Sequence, residues 1–167
     1  MLTFENDITK VLIEEGDATI NLISSNIFKN GITYAGINRT GTNISGGKTG
    51  QNASGKTIQS IKKEVKQNTL TISGRDKFSN LETGTPPGSG VTTDMIYQWS
   101  KYKGIPFLTD KKRYWFSQYA ANRINKDGSL LFRKGGRKDV YTNEVEPLVK
   151  RISDRIDTVI YELKIIE

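Results

Sequence analysis

The pattern of apolar positions begins with a helical repeat near the N-terminus. Apolar residues recur every three or four positions across residues 6–28, namely Ile8, Leu12, Gly16, Ile20, Ile23 and Ile27. This spacing places them on one face and predicts an amphipathic helix within residues 1–30. Gly16 lies on the apolar face, where a missing side chain predicts either a close crossing by another element or a kink.

Two stretches in the middle of the chain lack any apolar period. Residues 39–55 are rich in Gly, Ser, Thr and Asn, and residues 83–93 contain Pro86-Pro87-Gly88. Segments of this composition bury too little apolar surface to offset the entropy of ordering the backbone. We therefore expect both stretches to be mobile loops. Between them, residues 58–65 and 70–72 flank the polar sequence 66–69 and predict a β-hairpin.

Two helices are predicted after the second loop. Thr92 or Thr93 can cap a short helix that ends before Gly104. Asp110 can cap the next helix, which ends before Gly128. An apolar stripe along this second helix is expected to lie in the core and contains Trp115, Phe116, Tyr119, Ala120 and Ile124.

The longest helical repeat closes the chain. Apolar residues keep helical spacing across residues 143–164, namely Val145, Leu148, Val149, Ile152, Ile156, Val159, Ile160 and Leu163. Pro147 fits this helix only in its first turn, because proline lacks an N–H and its ring clashes with the preceding turn. The elements together predict one α+β domain spanning residues 1–167. Its small antiparallel sheet is flanked by the N-terminal helix and the long C-terminal helix.

Composition excludes several kinds of chemistry. The 167 residues include no Cys and no His, which removes thiol nucleophiles, disulfides, the usual zinc ligands and the usual general base at neutral pH. No run approaches the roughly 18 apolar residues needed to span a bilayer. We therefore expect no catalytic residues, no cofactor-binding residues, no metal site and no membrane contact.

The net charge of +7 is unevenly distributed. Residues 99–138 contain 11 basic and 2 acidic residues, a charge of +9, so the rest of the chain carries −2. A concentrated basic segment indicates a polyanionic or acidic neighbour, although it can also be a solvated surface. Its densest part supplies our candidates for contact with DNA or a partner, which are Arg133, Lys134, Arg137 and Lys138.

Residues 50–57 match the nucleotide-binding pattern GxxxxGK[ST]. Such a loop needs a buried strand leading into it, a helix leaving it and a second strand that ends in Asp to hold magnesium. The lead-in 40–48 contains one large apolar residue, and the candidate second strand, 70–76, is interrupted by Ser73-Gly74-Arg75. We therefore expect Lys56→Ala to leave folding and assembly nearly unchanged.

Three stretches in order resemble the head–tail connector and tail-completion family of tailed bacteriophages, also described as minor tail or neck proteins. Residues 54–61, SGKTIQSI, are similar to a Thr/Ser-Gly-x-Leu-x-x-Ser-Ile element that opens the first strand, with Thr57 in the usual Leu position. Residues 78–85, FSNLETGT, resemble an apolar residue followed by Glu-x-Gly-Thr at the end of a strand. The third is the helix that ends at residues 124–129, followed by a glycine-containing loop and a long terminal helix.

This resemblance implies a non-enzymatic virion protein that forms a homo-oligomeric, dodecameric ring at the neck, beneath the portal, with DNA passing through the lumen. The implied partners are further copies of the chain, portal or adaptor and tail proteins, and phage DNA bound without sequence specificity. Before assembly the protein is expected in the host cytoplasm. The candidate subunit-contact residues are Glu82, Thr83, Gly84, Thr85, Pro86 and Pro87.

Two alternatives stay open from the sequence. The basic segment is also compatible with a small DNA-binding or packaging accessory protein. Nucleotide binding by residues 50–57 is the third possibility. Under the ring hypothesis, Gly84→Val is expected to block incorporation into particles more than it impairs folding, because both loops would become ordered between subunits.

Overall fold

The structure is a computed structural model that describes residues 4–29, 36–37, 43–44 and 53–166. Along the chain these residues form α1 (Phe4–Lys29), β1 (Gly36–Ile37), β2 (Asn43–Ile44), α2 (Lys56–Gln59), β3 (Lys62–Lys66), β4 (Thr69–Ser73), α3 (Asn80–Thr83), α4 (Thr93–Tyr102), α5 (Asp110–Asp127), α6 (Leu130–Arg133) and α7 (Thr142–Ile166). The predicted α+β class with a long C-terminal helix is confirmed. Most of the predicted loop 39–55 lies outside the described residues; within it, β2 pairs antiparallel with β1.

The N-terminal helix α1 follows the predicted repeat. Leu12, Ile23 and Ile27 are buried, and α1 packs against α7 and against both strands of the β3–β4 hairpin. Gly16 lies at a close crossing, which is one of the two alternatives that its position predicted. A Cβ atom there would lie 3.0 Å from Leu70 Cδ1, so the missing side chain leaves room for the hairpin.

The predicted hairpin forms, but its first strand begins later than residue 58. Residues Lys56–Gln59 make a helical turn instead, which Gly55 initiates with a φ of 79°. The Ser60 hydroxyl donates to the Thr57 carbonyl at 2.7 Å and closes this turn, so β3 starts only at Lys62. The two strands pair from Lys62↔Ser73 to Lys66↔Thr69 across a two-residue turn with positive φ angles.

The C-terminal helix α7 begins earlier than Pro147 predicted. Pro147 is the sixth residue of α7 and lies beyond its first turn, which corrects the expected placement. The early start has a physical cause in the Glu82 carboxylate, which binds the backbone N–H groups of Tyr141 and Thr142. Bound N–H groups at a helix N-terminus stabilise the turn that they open.

An ion-pair cluster holds α7 against α1. Glu15 is 7% exposed, and its carboxylate accepts from Arg151 Nε at 2.7 Å and from Arg155 Nη1 at 3.0 Å. Arg151 also donates to the Thr19 hydroxyl at 2.9 Å. Glu14 accepts from the same Arg155 at the solvent edge, at 2.5 Å. The hydrogen bonds to arginine hold the pKa of Glu15 below its ordinary value, although burial opposes ionisation.

Helices α4 and α5 pack together through small side chains, which contradicts the predicted core stripe. Trp115 and Tyr119 are 57% and 67% exposed. The buried residues of the two helices are Ser100, Ser117 and Ala121, and Arg113 Nη1 of α5 donates to the Ser100 hydroxyl of α4 at 3.0 Å. Small residues let two helices approach closely, so the aromatic side of α5 faces away from α4. The predicted cap is also displaced by one residue, because the Thr109 hydroxyl, and not Asp110, accepts from Lys112 N–H at 3.2 Å.

The apolar core lies where α1 meets the start of α7. Ile23, Ile27 and Val140 are buried there, surrounded by Ile58, Ile61, Phe78, Leu81 and Tyr141. The Phe78 and Tyr141 rings pack with centroids 5.8 Å apart. Residues 80–83 form the short helix α3 beside this core, and not the strand end that the Glu-x-Gly-Thr resemblance implied.

Candidate subunit and DNA interfaces

Glu82 lies inside the subunit and is not the subunit contact that the sequence predicted. It is 3% exposed. Its Oε1 accepts from the backbone N–H groups of Val140, Tyr141 and Thr142 at 2.9, 2.7 and 3.0 Å. Its other oxygen accepts from the Thr142 hydroxyl. This set of donors ties α3 to the two residues before α7 and to its first residue.

The ionisation of Glu82 reflects two opposing effects. Burial favours the neutral acid, but hydrogen bonds from the Thr142 side chain and from three backbone N–H groups stabilise the carboxylate. The hydrogen bonds prevail, and the pKa of Glu82 lies below its ordinary value. Burial, followed by the charge of Glu82, raises the pKa of the neighbouring Tyr141.

Gly84 and Thr85 also face the interior of the subunit. Gly84 has a φ of 76°, and a Cβ atom there would lie 2.3 Å from the Phe132 backbone nitrogen. Thr85 N–H donates to the Ser129 hydroxyl at 2.9 Å, and Ser129 N–H donates to the Thr85 carbonyl at 2.8 Å. Of the predicted contact residues, Thr83, Pro86 and Pro87 remain exposed.

Asn125, near the end of α5, anchors the loop 84–92. Its side chain accepts from Val91 N–H at 2.9 Å and donates to the Val91 carbonyl at 2.7 Å. Gly88 N–H donates to the Asn125 carbonyl at 2.8 Å. We therefore expect this loop to be held in place before any assembly, whereas its composition alone indicated mobility. No local pattern around Asn125 marks this role, because its partner lies 34 residues away.

Three of the four candidate basic residues face solvent. Arg133, Lys134 and Lys138 are exposed on and after α6, where Gly135 and Gly136 reverse the chain with positive φ angles. Arg137 differs, because its side chain is 9% exposed and its Nε lies 2.5 Å from Asp139 Oδ1. Arg137 is thus a structural residue and not a surface for DNA. Eight of the 11 basic side chains in residues 99–138 are exposed.

The surface of α4, α5 and the segment between them carries an unusual density of large apolar side chains. Seven are exposed within residues 95–119, namely Met95, Tyr102, Leu108, Tyr114, Trp115, Phe116 and Tyr119. Along α5, Lys111, Trp115, Tyr119 and Arg123 stand four residues apart and form one line of side chains, which we call the α5 ridge. The Lys111 ammonium lies 5.1 Å from the centroid of the Trp115 ring.

A second exposed apolar surface lies on α7. Val145 and Val149 are 56% and 61% exposed. With Ser153 and Asp157, also exposed, they form a second line of side chains at four-residue spacing, the α7 ridge. The exposed charges on this side of α7 are predominantly acidic, with Glu146, Asp154 and Asp157 against Lys150.

A cavity of about 380 Å³ lies between α1, the β3–β4 hairpin and α7. Its lining is mostly apolar and includes Ile23, Leu70, Ile72 and Phe78. Glu144, at its edge, already accepts from the Asn26 side chain at 2.8 Å. Binding pockets for polar substrates combine an apolar lining with several convergent polar groups. The described lining instead resembles a gap between packed elements.

Lys56 does not lie in the surroundings that phosphate binding requires. It is exposed and begins the four-residue helix α2, after which the chain enters the antiparallel hairpin. Both sheets among the described residues are antiparallel pairs, whereas a nucleotide-binding loop joins a buried parallel strand to a long helix. Asp76, the candidate magnesium ligand, is exposed and lies three residues beyond the end of β4.

The described residues contain no group of three or more acidic side chains that could hold a metal ion. None of the helices in this part of the chain is long and apolar enough to cross a bilayer. Comparisons with protein-family models, with curated proteins and with solved structures find no match to this chain.

Proposed function

We propose that this chain is a structural, non-enzymatic protein of a tailed-bacteriophage particle that assembles with copies of itself into a ring at the head–tail neck. The ring would join portal or adaptor to tail and surround the DNA channel. The observation that carries this proposal is that seven large apolar side chains on and beside α4 and α5 are exposed. Exposed apolar surface in this amount on a folded subunit is typical of a place where another macromolecule packs.

The size of these side chains supports a protein partner. An aromatic side chain contributes roughly 150–250 Å² of surface when it is fully covered. Trp, Tyr and Met are also enriched at the centres of protein interfaces. Two different exposed apolar surfaces, on α5 and on α7, suit a contact between unlike faces of identical subunits. Such contacts repeat around an axis and close into a ring when the rotation per subunit allows it.

The basic surface suits a subunit beside DNA. Arg133, Lys134 and Lys138 are exposed on a short segment whose fourth basic residue, Arg137, is buried and used within the subunit. Positive charge facing a lumen would attract the phosphate backbone without reading sequence, since phosphate contacts carry no direct sequence information. This is the behaviour that the resemblance to neck proteins implies.

The direct test is to remove the chain from particles. A phage from which the gene is deleted should produce DNA-filled heads without attached tails, visible by electron microscopy, and plasmid-encoded protein should restore tailed particles. Cross-linking mass spectrometry of the restored particles should place the chain beside portal or tail proteins. Normal tailed, infectious particles made without the chain would contradict the proposal.

The exposed basic residues favour one second candidate, a DNA-binding or packaging accessory protein. An accessory protein would bind duplex DNA as an isolated monomer, with an affinity that falls steeply as salt increases because phosphate counterions are released. A ring subunit would bind weakly alone and be retained in the virion. Calorimetric titration with ATP and magnesium tests the third possibility, nucleotide binding. We expect no heat of binding.

A further inference from the structure

We infer that the α5 ridge of one subunit packs against the α7 ridge of its neighbour, so that the partner of this aromatic surface is a second copy of the same chain. This inference rests on the proposed ring. The two faces that meet in the ring are specified neither by the resemblance nor by the subunit fold. The α5 ridge is Lys111, Trp115, Tyr119 and Arg123, and the α7 ridge is Val145, Val149, Ser153 and Asp157.

The two ridges match in shape. Helices pack most often when side chains at four-residue spacing on one helix enter the grooves beside the same spacing on the other. The α5 ridge places two large rings in succession, 57% and 67% exposed. The α7 ridge places Val145 and Val149 in succession, followed by the small Ser153. The large rings of the α5 ridge can therefore pack into the grooves beside the smaller valine and serine side chains of the α7 ridge.

The two ridges also match in charge. The α5 ridge begins with Lys111 and continues to Arg123, and Lys126 lies exposed one turn beyond. Arg123 is partly neutralised within α5 by Asp127, whose carboxylate lies 2.7 Å away. The α7 side carries Glu146, Asp154 and Asp157. Opposite charges around an apolar centre favour this pairing over contact between two identical ridges, which would bring like charges together.

A second copy explains the surface better than DNA does. DNA can stack on the aromatic rings of the α5 ridge and bind its lysine, but it offers no partner for the α7 ridge. It would also leave Val145 and Val149 in solvent beside acidic side chains that repel phosphate. A protein contact covers the apolar residues of both ridges at once.

The absence of cysteine from the sequence makes the inference testable by disulfide cross-linking of full-length protein. Two single variants are made, Tyr119→Cys on the α5 ridge and Val149→Cys on the α7 ridge. One carries a mass tag. Both sites are more than half exposed, so the replacements should leave folding intact, which circular dichroism checks. Thr158→Cys, an exposed α7 position off the ridge, is the matched control for Val149→Cys.

Mild oxidation at high protein concentration, and again in assembled particles, should give a mixed dimer of Tyr119→Cys with Val149→Cys. Its yield should exceed that of either variant alone and that of Tyr119→Cys mixed with Thr158→Cys. A protein carrying both replacements should give a ladder of oligomers, because each subunit then has two different reactive faces. Replacing both Trp115 and Tyr119 by Ser in the wild-type background should weaken self-association roughly 30-fold or more.

Three outcomes overturn the inference. The first is no excess of mixed dimer in either setting, and the second is preferential cross-linking of a single variant with itself. The third is a pair of results that would make DNA the partner of the α5 ridge. Duplex DNA would abolish the cross-link, and the double variant Trp115→Ser, Tyr119→Ser would no longer bind DNA. If deletion of the chain still leaves tailless heads while the cross-link fails, the proposed function stands and only this interface is wrong. If the cross-link forms but deletion has no effect on particles, the interface stands and the proposed function fails.

Discussion

A single carboxylate, that of Glu82, connects two parts of the chain that lie 60 residues apart in sequence. It binds three consecutive backbone N–H groups and a hydroxyl at the start of α7. An anion in this position satisfies donors that would otherwise be buried without partners, and it also favours the positive end of the helix. The Glu-x-Gly-Thr sequence is therefore explained by folding of the subunit, and not by contact between subunits.

Glu82→Gln should destabilise the protein in a pH-dependent way. At pH 7 we expect a loss of about 2–3 kcal/mol in the free energy of unfolding, because hydrogen bonds to a charged acceptor are replaced by weaker ones. The folded pKa of Glu82 is lowered, so its contribution is complete above the unfolded pKa, about 4.3. It is lost as pH falls through the folded pKa.

The difference between wild type and Glu82→Gln should therefore be largest near neutral pH and shrink below about pH 4, where the unfolded glutamate is protonated. Urea unfolding followed by circular dichroism at several pH values measures this. Glu64→Gln, which removes a surface pair with Lys66, should cost under about 1 kcal/mol at pH 7. A difference that grows towards low pH would show that the sign of the pKa shift is wrong.

Gly84 should be required for folding, which replaces the expectation that Gly84→Val acts mainly on incorporation. Alanine at Gly84 combines a φ of 76° with a Cβ atom 2.3 Å from backbone, so we expect a loss of about 3 kcal/mol or more. Gly88 has a similar φ of 70° but open space around it, and Gly88→Ala should cost about 1 kcal/mol. Both variants carry the cost of a positive φ, but only Gly84→Ala adds a clash with the Phe132 backbone. Thermal and urea unfolding of the two variants measure the difference. Equal losses of stability would contradict the packing of Gly84 against Phe132.

At the scale of elements, the long repeats were the most predictable part of the fold. Helix α1 and helix α7 formed where the apolar period predicted, because each buries one face against the rest of the subunit. The apolar period left Gly16 as either a close crossing or a kink, and the structure shows the crossing. The period predicts the start of α7 to within one residue, at 143 against Thr142, but the expected placement of Pro147 in its first turn is wrong. The hydrogen bonds from Tyr141 and Thr142 to Glu82, which lies far away in sequence, could not be predicted from the period.

The prediction for α5 failed because apolar character does not by itself say which partner covers a face. The sequence predicts that Trp115 and Tyr119 lie in the core, whereas the buried residues of α4 and α5 are Ser100, Ser117 and Ala121. Small side chains carry little periodic signal, yet they allow the closest packing. Of the candidate site, the exposed Arg133, Lys134 and Lys138 could be predicted from charge. Glu82, Gly84 and Arg137 instead make contacts inside the subunit. Those contacts join distant parts of the chain, so no local pattern predicts them.

The contact between α1 and α7 should depend on Glu15 more than on Glu14. Glu15 is buried between Arg151 and Arg155, whereas Glu14 binds Arg155 at the surface. Glu15→Gln should lower the free energy of unfolding by about 2 kcal/mol, since it leaves two guanidinium groups without their shared carboxylate but still in contact with water. Glu14→Gln, the matched control, should have little effect. Urea unfolding at low and high salt tests this, and equal effects of the two variants would contradict it.

At the scale of the whole molecule, positive and negative charge are separated along the chain, and each accompanies a different exposed apolar surface. Residues 99–138 carry +9 and contain most of the exposed aromatic side chains. The rest carries −2, with exposed carboxylates beside Val145 and Val149. A subunit with this division can place its basic half against the acidic half of a neighbour. In the proposed ring, the basic groups not used in that contact would face DNA.

Neutralising Arg133, Lys134 and Lys138 to Gln should impair DNA retention or particle assembly while leaving the fold intact. All three are exposed, and exposed charges contribute little to folding, so the free energy of unfolding should change by less than about 1 kcal/mol. Arg137 is left unchanged because its side chain is buried. Particles made with the triple variant are counted by electron microscopy for DNA content and attached tails, and stability is measured by urea unfolding.

The control for this variant removes the same charge elsewhere, at the exposed residues Lys10, Lys56 and Lys62. If position and not net charge is responsible, the control should assemble normally. In binding to duplex DNA, removing one cation that pairs with a phosphate should also reduce the slope of log affinity against log salt by roughly 0.9. Equal defects in both variants would mean that overall charge governs assembly. An unfolded triple variant would mean that the segment after α6 serves the fold of the subunit and not the DNA channel.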